Sequence, residues 1–411
     1  MTAIGTTGAT RRRFLGALMS AGVAPLVISD SAIGAGDRPA PSNRHTLGCV
    51  GMGGRGSGDM RGFLGFHEIQ VVSVCDVVAD KRYAAKRLVD EKNGDDGCAA
   101  VNDFRDITRR ADVDAVMIGT PDHWHAIISI DAMRHGKDVF CEKPETLCVA
   151  EGREMVRVAR RMGRVFSGGS QRVWGDCQTM HRWVRSGAIG ELKEIYVSCG
   201  GPSRLCYLPE EPVPAGLDWD LWLGPAPWAP FNSARLRFRP WRDYSGGGMT
   251  DWGAHNFGGA VFAANLHRTG PVEVIPPDGK DHPYLTYVYA NGVRMYHAPG
   301  NVTNGRMKFV GTKGTVSWND KGRRPPDIAI PNYKGRGGLI GDFVHCLGTR
   351  ERPFRDIEVA HRTVTVCHLG NIAYWTGRPL KWNPETEQVV GDADIARWLD
   401  RPKRAPWRLC L

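Results

Sequence analysis

The body of the chain has no long run of lysine or arginine and no Cys-x-x-Cys pair. Its N-terminal apolar stretch is too short and too rich in Gly and Ala for a membrane span. Each absence excludes a class. Net charge is +10, but the basic residues are scattered and several lie in the two tails. That pattern gives a basic surface with affinity for anionic ligands, not a nucleic-acid footprint. The 11 cysteines are odd in number and irregularly spaced. Cys49, Cys75 and Cys141 sit in apolar, strand-like runs, as small buried hydrophobes do, so neither a disulfide framework nor a metal site is expected. What remains is ordinary globular composition: 411 residues, 42% hydrophobic and 24% charged, enough for two domains with their own cores.

Residues 10–16 read Thr-Arg-Arg-Arg-Phe-Leu-Gly, followed by an apolar stretch to residue 28 and small residues at 32–36. These are the parts of a signal peptide. The paired arginines before Phe-Leu resemble the twin-arginine export signal. That resemblance implies export of an already folded protein to the periplasm, with its cofactor loaded and no membrane attachment after cleavage. The alternative is a plain basic tail. Residues 1–36 are therefore set apart from the fold.

Residues 47–50 form a short apolar strand pattern that runs into Gly51, Gly53 and Gly56, a G-x-G-x-x-G spacing. A helix opening near Gly54 points free N–H groups and its dipole at whatever lies over the turn, which suits a pyrophosphate. Candidate cofactor contacts are Gly51, Met52, Gly53, Gly54, Arg55 and Gly56. An isolated match of this kind also fits an ordinary turn. Residues 69–76 form a second buried strand ending in Asp76, where an acid binds ribose hydroxyls and repels a 2′-phosphate, favouring NAD over NADP. Capping of the next helix is the alternative for Asp76. Strand and helix patterns then alternate: helix 79–92, strand 113–120, loop 121–125, helix 127–135, strand 138–141, helix 149–162 and strand 164–170. This rhythm predicts an α/β, doubly wound, mostly parallel Rossmann sheet over residues 44–172.

The order G-x-G-x-x-G, strand-end Asp, Thr-Pro-x-x-x-His and Glu-Lys-Pro resembles the glucose–fructose oxidoreductase / inositol dehydrogenase / rhizopine catabolism (Gfo/Idh/MocA) family. The resemblance covers roughly residues 44–375. It implies that Thr120, Pro121, His123, His125, Glu142 and Lys143 lie at the cofactor. It also implies that Lys143 stands beside the nicotinamide and the substrate hydroxyl, and that the Lys143–Pro144 bond is cis.

A second domain, residues 173–375, follows, with strand patterns near 191–201, 272–275, 285–290, 294–297, 307–310 and 315–318. A large, open, mainly antiparallel sheet is what the resemblance implies, used for a homodimer or homotetramer. The aperiodic segment 202–245, rich in Pro, Trp, Arg and Tyr, reads as a wall of the site. Asp251 and His255 are four apart, which on a helix places them on one face, the carboxylate raising the basicity of the imidazole and fixing its orientation. They fall in Gly246-Gly247-Gly248-x-x-Asp251-x-Gly253-x-His255, similar to the family's Gly-rich Asp/His segment, whose Asp and His act with the Lys on the hydroxyl being oxidised. The chain departs from many relatives in having Gly258 where they carry an acid and Asn256 where some repeat the His. Candidate substrate contacts are Gln171, Trp241, Arg242 and Asn256. Residues 376–411 read as an arm on the body.

The leading expectation is an NAD-dependent oxidoreductase acting on a secondary hydroxyl of a carbohydrate or polyol, with NAD tightly bound. His255 would be the base, Asp251 its orienter and Lys143 the group that polarises the oxygen. A glycosidase that uses bound NAD transiently is the second, and a non-catalytic sugar sensor the third.

Overall fold

Strand β1 (His45–Val50) is the middle of a six-stranded sheet, with β2 (Ile69–Cys75) and β3 (Ala99–Val101) on one side and β4 (Ala115–Ile118), β5 (Asp138–Cys141) and β6 (Phe166–Gly168) on the other. Every pairing is parallel. β4 and β5 are buried along their whole length, as a central parallel strand covered on both faces must be. The computed structural model describes residues 39–320 and 322–409. The twin-arginine-like segment lies outside the described residues. From His45 onward the chain forms one unit, and all that follows lies within it.

The order β3-β2-β1-β4-β5-β6 reverses between β1 and β4. Ligands bind outside the carboxyl ends of the strands at such a switch point. One face of the sheet is covered by helices Asp122–Arg134 and Val149–Met162. The other is covered by helix Gly54–Phe63 and, from far along the chain, by helix Gly338–Thr349. Phe343 of that late helix meets Phe63 and Phe140 edge-on at 6.1 and 5.8 Å. The N-terminal sheet is therefore completed by residues assigned from sequence to the second domain.

The second sheet has eight strands: β12 (Gly314–Ser317), β11 (Met307–Gly311), β7 (Leu192–Val197), β10 (Arg294–His297), β9 (Leu285–Val288), β8 (Glu273–Ile275), β13 (Leu380–Asn383) and β14 (Gln388–Val389), in that spatial order. All pairings are antiparallel except β7 with β10. Helices Gly253–Ala263 and Ile357–Thr376 contribute Phe257, Val261, Leu369 and Ile372 to the core on one face. The expected C-terminal arm instead supplies β13 and β14, whose Leu380 and Trp382 are buried. Past β14, Arg404 donates to Gly224 O at 2.9 Å, and Trp407 packs on Trp124 at 4.6 Å and Phe104 at 6.0 Å. Every cysteine among the described residues is a free thiol, and Cys49, Cys75 and Cys141 are buried.

Candidate functional site

The glycine loop shows why each glycine is there. Gly51 has φ +86°, and a Cβ on it would come within 2.5 Å of Thr120 N. A Cβ on Gly56 would sit 1.9 Å from Gly51 O. These two close the turn and let the helix approach the strand. Gly53 is different: a Cβ there meets no protein atom within 4 Å. The room it leaves opens into the cleft, beside the N-terminus of helix Gly54–Phe63, where backbone N–H groups are unpaired.

That cleft holds about 1090 Å³ of open space at the switch point. Gly51, Gly53, Gly54, Arg55, Asp76, Thr120, Pro121, Glu142 and Lys143, all candidates for cofactor contact, line it. Its far wall is Leu221, Trp222, Leu236, Phe238 and Arg239, from the aperiodic segment expected to form one. Asp76 accepts from Met52 N at 2.7 Å and Val78 N at 2.8 Å. One bond holds the glycine loop and the other the turn into the next helix, whose N-cap is Val78 with no side-chain cap, so Asp76 does not cap that helix. Each carboxylate oxygen keeps further acceptor capacity for ribose hydroxyls. Arg55 bonds Glu142 at 2.9 Å and Asp59 at 2.8 Å, and its cation lies at the mouth of the loop. Asp59 is pushed up to about 8, by burial first and by the Glu142 carboxylate next. The residues present fit a dinucleotide: a cradle a Cβ would fill, a strand-end acid and a cation at the loop.

Four predicted cofactor contacts do not line the cleft. Met52 turns into the core. Gly56 is buried beneath the loop. Helix Asp122–Arg134 starts five residues earlier than expected, because Asp122 can occupy the first turn after Pro121, where an acid suits the dipole. His123 and His125 are thereby carried into the interior. His123 Nε2 lies 3.0 Å from Trp222 O. His125 stands between Thr120 O, 2.8 Å from Nε2, and Pro144 O, 2.7 Å from Nδ1, and as a neutral ring donates to one of them. Asp122, not singled out from sequence, does line the cleft and is pushed up to about 7, by burial first and by the charge of Asp251.

Lys143 joins the cleft to the second domain. The Lys143–Pro144 bond is cis. Lys143 Nζ donates to Asp251 Oδ1 at 2.5 Å and to Asp251 O at 3.1 Å. Arg239 Nε reaches the same oxygen at 3.1 Å. Burial raises the Asp251 carboxyl, but Lys143 and then Arg239 outweigh it and hold Asp251 below its ordinary value.

The expected Asp251–His255 pair is not formed. Helix Gly248–Asp251 ends at Trp252 and a new helix runs from Gly253 to Ala263. Among the described residues no hydrogen bond joins the two side chains. His255 Nδ1 lies 2.7 Å from Ser170 Oγ, whose hydroxyl also reaches Ala254 O at 3.2 Å. The expected gain in basicity is reversed as well. Burial lowers His255 to about 3, Lys143 and Arg172 add to the shift, and Asp251 opposes it. His255 is thus neutral throughout the physiological range. With Ser170 donating to Ala254 O, Nδ1–H donates to Ser170 and Nε2 is left as a bare acceptor. Ser170 was missed in the sequence. Its one signal is position: it closes Gly168-Gly169-Ser170 at the carboxyl end of β6.

The predicted substrate contacts are mostly engaged elsewhere. Trp241 Nε1 donates to Ala234 O at 3.0 Å. Arg242 stacks over Trp375 and Trp398 at 5.5 and 5.2 Å. Asn256 is buried and donates to Ser198 O at 2.7 Å. Gln171 O accepts from Tyr333, and its side-chain Oε1 is buried with no partner.

Comparison with known proteins agrees with this geometry. Residues 46–170 match the model of an oxidoreductase family's NAD-binding Rossmann fold, and residues 202–409 match that family's C-terminal alpha/beta domain. A glycosyl hydrolase family 109 protein of Saccharopolyspora erythraea is 34% identical over 121 residues, 29% of this chain and 26% of that protein. An alpha-N-acetylgalactosaminidase of Shewanella oneidensis is 29% identical over 203 residues, 44% of each chain. The chain thus spans less than half the length of these curated relatives. In fold it is similar to myo-inositol 2-dehydrogenase from Lactobacillus plantarum, with a TM-score of 0.58 at 17% identity over 82% of this chain and 99% of that one. Aldose-aldose oxidoreductase from Caulobacter crescentus, with a TM-score of 0.57 at 18% identity, has the same coverage, 82% of this chain and 99% of its own. With a glycine cradle and strand-end acid at the first sheet, a Lys-Pro lysine reaching Asp251 of the second domain, and both family domains matched, the chain belongs to the Gfo/Idh/MocA oxidoreductase family and carries its NAD-binding Rossmann fold.

Proposed function

We propose that the chain is an NAD-dependent oxidoreductase that oxidises a secondary hydroxyl of a sugar, polyol or sugar derivative. The observation that supports it is Lys143, which lines the cofactor cleft and touches Asp251 from the second domain at 2.5 Å. When bound, the nicotinamide supplies an acceptor for hydride, and a donor where the cycle returns it. The protein holds it through Gly53, Gly54, Arg55 and Asp76, and retains it tightly. Lys143 polarises the substrate oxygen. Asp251 fixes Lys143, in place of the orienting role toward His255 expected for it. His255, neutral and held by Ser170, accepts the hydroxyl proton at Nε2. Substitution of a positioned acid–base group costs about 10²–10⁴-fold in rate. His255→Ala and Lys143→Ala should each lose that much in the rate of cofactor reduction by substrate. Wild-type rates in both would refute the assignment.

A second reading is supported by the curated relatives. They are named as glycosyl hydrolases, and the same acid–base set suits net hydrolysis with no consumption of NAD. Purified protein assayed on aryl glycosides without added NAD separates the two: aglycone release favours the glycosidase, and dependence on added NAD the dehydrogenase.

Two further features belong to the proposal. The arginine pair and apolar stretch of residues 10–28 support twin-arginine export to the periplasm, tested by fractionating cells with Arg11→Lys and Arg12→Lys. The second sheet presents Tyr196 stacked on Tyr296 at 4.8 Å with Lys308 above it, which supports a homodimer or homotetramer through that sheet. Light scattering after gel filtration tests this.

A further inference from the structure

Beside the candidate acid–base groups lies a half-exposed tryptophan with two arginines against its ring. Trp252, 43% exposed, follows Asp251 directly, and its ring lies 5.9 Å from that of His255. Arg172 and Arg306 approach the ring at 5.4 and 5.5 Å. Both arginines also bond one carboxylate oxygen, Asp176 Oδ2, at 2.6 and 2.7 Å. On the other side, Lys143 and Arg239 share Asp251. Around Trp252 two arginines thus share one carboxylate, and positive charge is left over there.

The dinucleotide does not account for the excess. Arg55 and Lys81 line the cofactor cleft, whereas Arg172 and Arg306 do not. Arginine meets carboxylate and sulfate oxygens with two parallel N–H donors. A half-exposed indole offers an apolar face for a sugar ring.

We propose that the substrate carries an anionic substituent, a carboxylate or a sulfate ester, which Arg172 and Arg306 bind above Trp252 while a hydroxyl of the same molecule faces His255 and Lys143. The assignment rests on the hydroxyl-oxidation reading and narrows its substrate class. It also gives the chain's basic character a local use.

The test is a calorimetric binding series on protein as purified. Hexuronates and sulfated hexoses are compared with their neutral parent sugars, and bound-cofactor reduction is followed in parallel. An anionic sugar should bind about 10-fold or more tightly than its neutral parent, the scale of one hydrogen bond to a charged group. That ratio should fall toward one in Arg172→Gln/Arg306→Gln, recover in part in Arg172→Lys/Arg306→Lys, and shrink with salt. Cofactor content and melting temperature establish that the variants are folded. The tighter of the uronate and sulfate arms identifies the substituent. If no anionic sugar binds more tightly than its parent, the proposal is overturned. A preference that survives the glutamine variants overturns the role of these arginines. Charge-dependent binding without cofactor reduction leaves the proposal standing and overturns hydroxyl oxidation instead.

Discussion

Two glycines three residues apart should respond to the same substitution in opposite ways. At Gly53 the backbone is φ −67°, ψ −176°, a conformation open to any residue, and a Cβ there meets nothing within 4 Å. Gly53→Ala should therefore leave the fold without cofactor intact and stabilise it slightly, by about 0.4–1 kcal/mol through the unfolded chain. The added methyl occupies the space assigned to the pyrophosphate, so bound NAD should be lost. A ligand at 100 times its dissociation constant stabilises a protein by about 2.7 kcal/mol, and that increment should be missing from the variant. At Gly56 a Cβ would lie 1.9 Å from Gly51 O, and the helix must move off the strand. Gly56→Ala should cost about 1–3 kcal/mol by overpacking, with or without NAD. The assay is thermal unfolding of cofactor-stripped protein across an NAD titration, beside the cofactor content of protein as purified. Wild-type NAD retention by Gly53→Ala would refute the placement of the pyrophosphate. A cofactor-free melting temperature unchanged in Gly56→Ala would refute the packing argument.

Ser170→Ala removes the partner of His255 Nδ1 and should lower the rate of cofactor reduction about 10-fold or more while cofactor content stays at the wild-type level; an unchanged rate sinks the orienting role. His181 is fully buried, and burial, with Arg185 adding, lowers it to about 3. The unfolded chain takes up a proton near its ordinary value of about 6.5 while the native state does not, so stability present above that value is lost as pH falls. Between pH 7 and pH 5 this group costs about 2 kcal/mol. Urea denaturation of His181→Leu should lose that much less stability over the same interval, and equal losses would refute it. Trp407→Ala removes a ring 4.6 Å from cleft-lining Trp124, so release of bound NAD into excess labelled NAD should become faster; an unchanged rate refutes the bracing role of the tail.

The first sheet was legible because its signals are local. Runs such as residues 69–76 are buried strands, and the glycine spacing marks a turn that Gly51 and Gly56 close. Lys143 was legible only as part of an ordered set of motifs. Ser170 was not, because nothing in Gly-Gly-Ser tells that His255, 85 residues later, packs against it. Asp251 and His255 illustrate the limit of spacing. Four residues apart places two side chains on one helical face only if the helix is continuous, and here it breaks at Trp252. The same holds for His123 and His125: a helix starting at Asp122 instead of 127 changes which way they point. β13 and β14 were read as an arm because two short strands take their identity from their neighbours, β13 from β8 and β14 from β13, which sequence alone does not supply.

The late helix Gly338–Thr349, on the underside of the first sheet, sets the order in which this protein can be completed. During synthesis the glycine loop, Asp76 and Lys143 all emerge before it. Yet the face carrying Phe63 and Phe140 stays bare until Phe343 arrives. The cofactor domain is first to be made and among the last to be finished, so a chain halted before residue 338 should hold no NAD and should bind a hydrophobic dye. Cofactor loading then reports on the late helix: a chain that has acquired NAD is one that already carries Phe343 in place.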